Sequence, residues 1–203
     1  MPLVSASVLK EYLPEISGTD ADSQLTSLIQ RMESFIARFL GFPIQDSGNF
    51  PVLDSGTYTL YLDGPAEWSV LVLQLPINPV TAVSKVYSDP DRVYGSDTEI
   101  SSSDWDLDSR NSRIILKSTS GEAYDYGFRA LKIVCTAGYS TSNPPADLVH
   151  AICVLCTQNW RNKNNFSRDS ITQRGSTIKL SPKQMPLEVR EILYPLRSTS
   201  LLL

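Results

Sequence analysis

Residues 19–43 read TDADSQLTSLIQRMESFIARFLGFP, and the spacing inside this stretch decides the architecture. Leu25, Leu28, Ile29, Met32, Phe35, Ile36, Phe39 and Leu40 recur at intervals of three and four. At 3.6 residues per turn, such spacing lines the side chains along one flank of an α-helix. Thr19 and Asp20 carry oxygens able to cap its first amides. Gly41 can take the left-handed conformation that ends a helix, and Pro43 prevents its resumption. A long helix with an apolar stripe is unstable alone, so the rest of the chain must supply its partner.

Upstream, Ser5 or Ser7 can cap a short helical turn through Tyr12, which Pro14 stops. Downstream of Pro43 the period drops from 3.6 to 2. In Thr57–Leu62, Tyr58, Leu60 and Leu62 fall on one face, and Thr59 and Tyr61 on the other. Further strands are predicted over Val70–Leu75, Val80–Tyr87, Trp105–Leu107, Arg113–Leu116 and Ala130–Thr136. Turn chemistry separates them at Asp63-Gly64-Pro65, Asp89-Pro90-Asp91, Tyr94-Gly95-Ser96 and Ser120-Gly121. Strands at this spacing imply a small antiparallel sheet or barrel.

Pro144-Pro145 closes that region, and helical spacing returns from Ala146 with Leu148, Val149, Ile152, Leu155, Cys156 and Trp160. Residues 167–181 are rich in Ser, Thr, Arg and Gln and hold one weak strand, Thr177–Leu180, which reads as a mobile loop or hairpin. Pro186 starts a last helix over Leu187–Leu193, halted near Pro195. The expected fold class is α+β: a bundle of three to four helices, with a small antiparallel β domain inserted between the second and third. Its parts are N-terminal helices at 1–43, the β domain at 44–143 and the third helix at 144–166. A mobile loop at 167–185 and a C-terminal helix with its tail at 186–203 complete it. Leu28, Met32, Phe35, Ile36 and Phe39 are expected to pack on Val149, Ile152 and Trp160.

Bulk composition bounds the function. Hydrophobic residues make up 41% of the 203 and charged ones 20%, the balance of a soluble globular chain. No apolar run approaches the roughly 20 residues a membrane helix needs. Lys10 and Glu11 interrupt any signal-peptide core, so the protein is expected to stay in the compartment where it is made. The net charge of −4 gives no general attraction to nucleic acid. Its distribution is uneven. Residues 1–110 carry 6 Lys/Arg and 16 Asp/Glu, so −10, and residues 111–203 carry 12 and 6, so +6. A dipole of this kind suits head-to-tail association, and equally suits mere solubility.

Candidate chemistry is sparse. Three cysteines, an odd number, argue against a disulfide framework. Cys153-Val-Leu-Cys156 is formally C-x-x-C, yet it sits inside a helix rather than at a helix start that would activate a thiol, so buried structural cysteines are expected. His150, Cys153 and Cys156, with Cys135, make a zinc site conceivable, but i, i+3, i+6 drifts around a helix instead of converging. His150 is the only histidine, and no G-x-S-x-G, H-E-x-x-H or phosphate-binding glycine loop accompanies it. Asp104, Asp106 and Asp108 resemble the start of a calcium loop, but Ser109 and Ile115 stand where its glycine and glutamate belong. Alternation with Trp105 and Leu107 makes these aspartates the wet face of a strand. Arg161, Lys163, Arg168, Arg174, Lys179 and Lys183 face a single acid, Asp169, in one segment. With only Phe166 to stack on a base, that segment suits a docking surface or a solvated loop more than a single-strand platform.

Four stretches, in this order, resemble the phage head–tail connector family, also called adaptor or head-completion proteins, in its longer version with a β insertion. The first is Leu9-Lys-Glu-Tyr-Leu13 with Ile16–Asp20 and the helix Leu25–Leu40 closing in Gly41. The second is Leu73-Gln-Leu-Pro-Ile-Asn-Pro-Val-Thr-Ala-Val-Ser-Lys-Val-Tyr87. The third is Val134-Cys-Thr-Ala-Gly-Tyr139 followed by Pro144-Pro-Ala-Asp-Leu-Val149, and the fourth is Pro186–Leu193 running on through Tyr194 and Pro195 to Arg197. After the third helix the family's charged stretch is replaced by Asn159–Asn164 and a longer Ser/Arg loop.

The resemblance implies a structural subunit of a virion neck, assembled in the host cytoplasm, that forms a ring of twelve copies between the portal protein and a stopper or tail-completion protein. DNA would pass through without being read. It implies no catalytic residue, cofactor or metal, and no membrane contact. It also implies a portal-docking arm from Tyr194, Leu196, Arg197, Leu201, Leu202 and Leu203, since three consecutive leucines after a Ser-Thr-Ser spacer are costly to leave in water. Arg161, Lys163, Arg168, Arg174 and Lys179 are the candidate contact loop. The alternative is a small module with a β-barrel insertion that binds a ligand or nucleic acid.

Overall fold

The computed structural model describes residues 2–66, 70–163, 170–173, 176–179 and 185–197. The first helix, α1 (Ala6–Glu11), begins where the Ser5 hydroxyl accepts the Val8 amide at 3.4 Å. The long helix, α2 (Asp22–Leu40), ends as its sequence dictates. Gly41 turns left-handed at φ 87°, and the Gly41 and Phe42 amides reach back to Arg38 and Ala37. Its start differs from expectation. Thr19 offers its backbone carbonyl to the Asp22 amide at 3.0 Å, Ala21 occupies the capping position, and no side chain caps the helix. The bend at 19–21 places Thr19 and Asp20 too early to reach the free amides, and Asp22 pairs instead with Lys10.

The stripe on α2 is buried with one correction. Leu25, Leu28, Ile29, Ile36 and Leu40 are buried, and Met32 and Phe39 pack partly buried against the core. Phe35, expected in the core, is 45% exposed. Glu33 and Ala37 are buried in its stead, so the buried arc is rotated around the helix away from Phe35. Glu33 explains the rotation: its carboxylate accepts the amides of Leu3 at 2.7 Å and Val4 at 3.2 Å, drawing the N-terminal segment across that flank.

The third helix, α3 (Ala146–Arg161), follows Pro144-Pro145 and buries Leu148, Ala151, Ile152, Cys153, Leu155 and Cys156. It touches both α1 and α2, and α4 (Leu187–Leu193) lies against it through buried Val189 and Leu193. A 3-10 turn over Tyr194–Leu196 follows.

Between α2 and α3 the described residues form seven strands: β1 (Gly56–Leu62), β2 (Val72–Gln74), β3 (Val80–Ser88), β4 (Glu99–Ile100), β5 (Trp105–Asp108), β6 (Arg113–Leu116) and β7 (Leu131–Ala137). They form two antiparallel sheets, ordered β1-β7-β3-β4 and β2-β6-β5. These strands therefore form two separate sheets. After α3, β8 (Ser170–Gln173) and β9 (Ser176–Lys179) pair as an antiparallel hairpin.

One glycine joins the sheet to the helices. Gly138 sits at φ 104°, where a side chain is strained, and a Cβ there would lie 2.6 Å from the Asp54 carbonyl oxygen. Its amide donates to Pro79 at 3.0 Å, while the Tyr139 amide donates to Leu53 at 2.8 Å. The end of β7 is thus tied to the entries of β1 and β3 just before α3 begins. One hydrophobic cluster includes Leu9, Ile29 and Cys156 from the helices together with Tyr58, Ile133 and Ile114 from both sheets.

Candidate assembly interface

The C-terminal turn is built outward from α4. Val189 and Leu193 anchor that helix, which leaves Leu187 69% exposed and Tyr194 54% exposed. The lone histidine helps hold it. His150 Nδ1 and the Tyr12 hydroxyl lie 3.0 Å apart, and His150 Nε2 lies 3.5 Å from Glu188 Oε1. His150 thus ties α1, α3 and α4 together. Leu196 packs partly buried against the core, and its carbonyl accepts the Asn78 side-chain amide at 3.3 Å. The Arg197 guanidinium lies over the Phe39 ring at 5.7 Å, and its buried Nε has no acceptor among the described residues. Tyr194, Leu196 and Arg197 of the expected arm therefore come together on one turn tied to the β2–β3 connection. Leu201, Leu202 and Leu203 lie outside the described residues.

The expected contact loop is only partly within view. Arg161 Nε reaches Glu15 Oε1 at 3.3 Å, and Glu15 is held below the usual carboxylate range by its backbone hydrogen bond first and Arg161 second. The Lys163 ammonium sits 3.7 Å from the centre of the Trp160 ring, a cation–π contact that keeps it at the end of α3. Arg168 and Arg174 lie outside the described residues, and Lys179 ends β9.

The thiols are sealed in. Cys135, Cys153 and Cys156 are free and buried. Desolvation pushes Cys135 up to about 12 and Cys153 up to about 11, and raises Cys156 as well. A reactive thiol needs the opposite displacement. Among the described residues no group of three or more His, Cys, Asp and Glu could hold a metal ion. Asp106 and Asp108 of the D-x-D-x-D run lie beside cations, while the Asp104 carboxylate accepts from the Ser103 hydroxyl at 3.3 Å. Asn111 and then Arg113 pull Asp108 down to about 2, and Asp106 lies 3.5 Å from Lys117.

A second surface escaped the sequence reading. The buried Asp89 carboxylate accepts the amides of Asp91 at 2.8 Å, Val93 at 2.9 Å and Tyr94 at 2.6 Å. These bonds hold Asp89 below its ordinary range, the Tyr94 amide contributing most. They also support Arg92 at φ 62° and Tyr94 at φ 53°, positions that favour glycine. The resulting turn presents Val93, 79% exposed. Tyr94 packs on Tyr61 and Tyr87 at centroid distances of 5.7 and 6.4 Å, and Lys132 lies over both Tyr87 and Tyr94. Tyr126 and Phe128 are exposed in a separate segment. Aromatic rings with basic neighbours on a fixed backbone are the composition of protein interfaces. In the sequence Tyr61, Tyr87 and Lys132 sit on three separate strands and Tyr94 in a turn, so nothing local brings them together.

A family model described as head completion protein matches residues 2–199. No curated protein sequence matches the chain. Among solved structures, a chain of the neck of an empty GTA particle computed with C6 symmetry is 20% identical, with a TM-score of 0.59 over 98% of this chain and 90% of that one. A chain from the virion of a native gene transfer agent (GTA) particle is 20% identical, with a TM-score of 0.54 over 90% of this chain and 80% of that one. A chain of the neck of a native GTA particle computed with C12 symmetry is also 20% identical, with a TM-score of 0.52 over 88% and 84%. At such identity these matches establish a shared fold.

Proposed function

Because the chain belongs to the head completion protein family, we propose that it is a structural adaptor subunit in the neck of a tailed phage or a phage-like particle, where it forms a ring that joins the portal to the stopper or tail and lets DNA pass. The observation that carries this reading is the extent of the family match. It runs from residue 2 to 199 and so spans both the helices and the β region rather than one of them. The helices act as a bundle and the two sheets as an insertion between α2 and α3. A ring needs two different complementary faces on every subunit. The C-terminal turn and the aromatic corner around Tyr94 are candidates for such faces. A copy number of twelve is consistent with the C12 symmetry of one similar particle neck.

In this reading Tyr194–Leu203 is an arm that docks on the portal, and Arg161, Lys163, Arg168, Arg174 and Lys179 contact a neighbouring subunit or the stopper. The chain carries out no reaction. It is assembled into particles in the host cytoplasm, and DNA meets it only in passage.

The test is particle assembly without the protein. Cells making particles with the gene deleted should accumulate heads that lack tails and lose packaged DNA, visible by negative-stain electron microscopy. Purified protein added to those heads should restore joining. Tailed, DNA-retaining particles from the deletion strain would refute the assignment.

A further inference from the structure

Where β2, the β5–β6 turn and the C-terminal turn meet, a cleft of about 260 Å³ is lined by Gln74, Asn78 and Asn111 and by three arginines, Arg110, Arg113 and Arg197. Its amides are already committed. The Gln74 amide donates to the carbonyls of Asn111 at 2.8 Å and Ser112 at 3.2 Å. Asn78 accepts from the Ser112 hydroxyl at 2.8 Å and donates to Leu196. The Asn111 amide goes to Asp108 at 2.8 Å. Arg113 is committed too, since its Nε and Nη2 both reach the same Asp108 oxygen, at 3.2 and 2.7 Å.

The other two guanidiniums have no carboxylate partner among the described residues. Arg197 Nε is buried and has no acceptor among the described residues. Arg110 is exposed and has no acceptor among the described residues. Of the three guanidiniums only Arg113 reaches a carboxylate, Asp108, and among the described residues the buried Arg197 Nε–H stands open. Buried donors in native proteins are almost always paired, and leaving one unpaired costs its full desolvation. The planar guanidinium fork matches a carboxylate better than any other side-chain acceptor.

We propose that this cleft is a carboxylate-binding site, filled in the assembled protein by an acidic side chain of a neighbouring copy of the same chain. Charge argues for that occupant. Residues 1–110 carry −10 and residues 111–203 carry +6, so every copy brings an acidic half as well as the two arginines of its basic half that line the cleft. Size agrees, because a space of about 260 Å³ admits a single side chain. The inference rests on the ring reading above and adds the chemistry of one contact to it.

The experiment compares wild-type protein with the Arg110→Gln/Arg197→Gln double variant. Circular dichroism and thermal melting check the fold, and sedimentation velocity at low and high salt measures self-association. A native fold with self-association weakened about tenfold or more, and with less salt sensitivity than wild type, is the expected result. Arg197→Lys keeps the charge but loses the fork and should fall between. Should Arg197→Gln disturb folding, Arg110→Gln at its exposed position carries the same comparison. Carbodiimide coupling of an Arg110→Lys variant should then give an intermolecular isopeptide to an Asp or Glu of residues 1–110, located by mass spectrometry. Self-association equal to wild type overturns the cleft and leaves the neck assignment standing. A wild-type chain that stays monomeric at every concentration and beside purified heads removes both. Normal self-association with loss of filter-bound DNA would show that the arginines serve phosphate, and would also overturn the proposal.

Discussion

The seam between α2 and α3 and the cleft beside the C-terminal turn both join segments distant in sequence, and they are finished in opposite ways. The first is dry: Leu28, Ile29, Ile36, Leu148, Ile152 and Cys156 belong to one buried cluster. The second is lined by amides and guanidiniums, with Arg197 Nε lacking an acceptor among the described residues. A dry seam is complete within one chain, since every methylene removed from water has already contributed its share of about 0.8 kcal/mol. A seam with an open buried donor gains more by meeting another molecule than by closing alone. The two seams divide the labour between holding the subunit together and joining it to something else.

The largest expected effect tests that division on adjacent residues of α2. Ile36→Ala, at a fully buried position, should cost about 2–5 kcal/mol by urea unfolding. Phe35→Ala, on the exposed side, should cost less than about 1 kcal/mol. Similar losses at the two positions would mean that the dry seam extends to Phe35 and that the boundary is misplaced.

The N-terminal clasp offers a pH handle on the same helix. Burial outweighs the Val4 and Leu3 amides and raises Glu33 to about 7 from its ordinary 4.5. Between those two values the folded chain binds a proton that the unfolded chain has released, so stability falls as pH rises through that window. Below 4.5 both states are protonated and the effect vanishes. Glu33→Gln should remove this slope, and the difference between the two proteins across the window should reach at most about 3 kcal/mol. Parallel pH profiles for the two would show that the clasp does not trap a proton.

At the junction of sheet and helices, Gly138→Ala should cost about 1–3 kcal/mol, from the positive φ and the crowded Asp54 carbonyl. A neutral result would mean that this junction yields more readily than its hydrogen bonds imply.

The smallest effect on stability is expected at the chain end. Deleting Ser198–Leu203 should leave the melting temperature and self-association nearly unchanged while abolishing attachment to DNA-filled heads. A fall of several degrees would assign the three leucines to the core of the subunit instead of the arm.

Much of the fold was legible because it rests on local signals. The stripe of α2, the Gly41 terminus, the Pro144-Pro145 entry to α3 and the alternation in β1 each need only neighbours in sequence. What was not legible depends on distant partners. The exposure of Phe35 follows from Glu33 clasping Leu3 and Val4, a polar contact no periodicity can reveal. The strand β4 is two residues long and exists because Val86 and Tyr87 pair with it. The cleft draws residues 74, 78, 110, 111, 113, 195 and 197 into one place. Only Arg197 among its arginines had been singled out, as part of a C-terminal arm and not as a ligand.

The three buried thiols have a consequence for the life cycle proposed for this chain. A particle component is made in the reducing interior of a cell and then works outside it, where exposed cysteines oxidise and cross-link. Cys135, Cys153 and Cys156 are kept protonated and out of contact with oxidants by the same apolar packing that holds the helices on the sheet. In the proposed role, a subunit folded in this way would meet both redox environments with its thiols shielded. The same shielding makes the native chain silent to thiol reagents, so the rate at which they label it clocks how often the subunit opens.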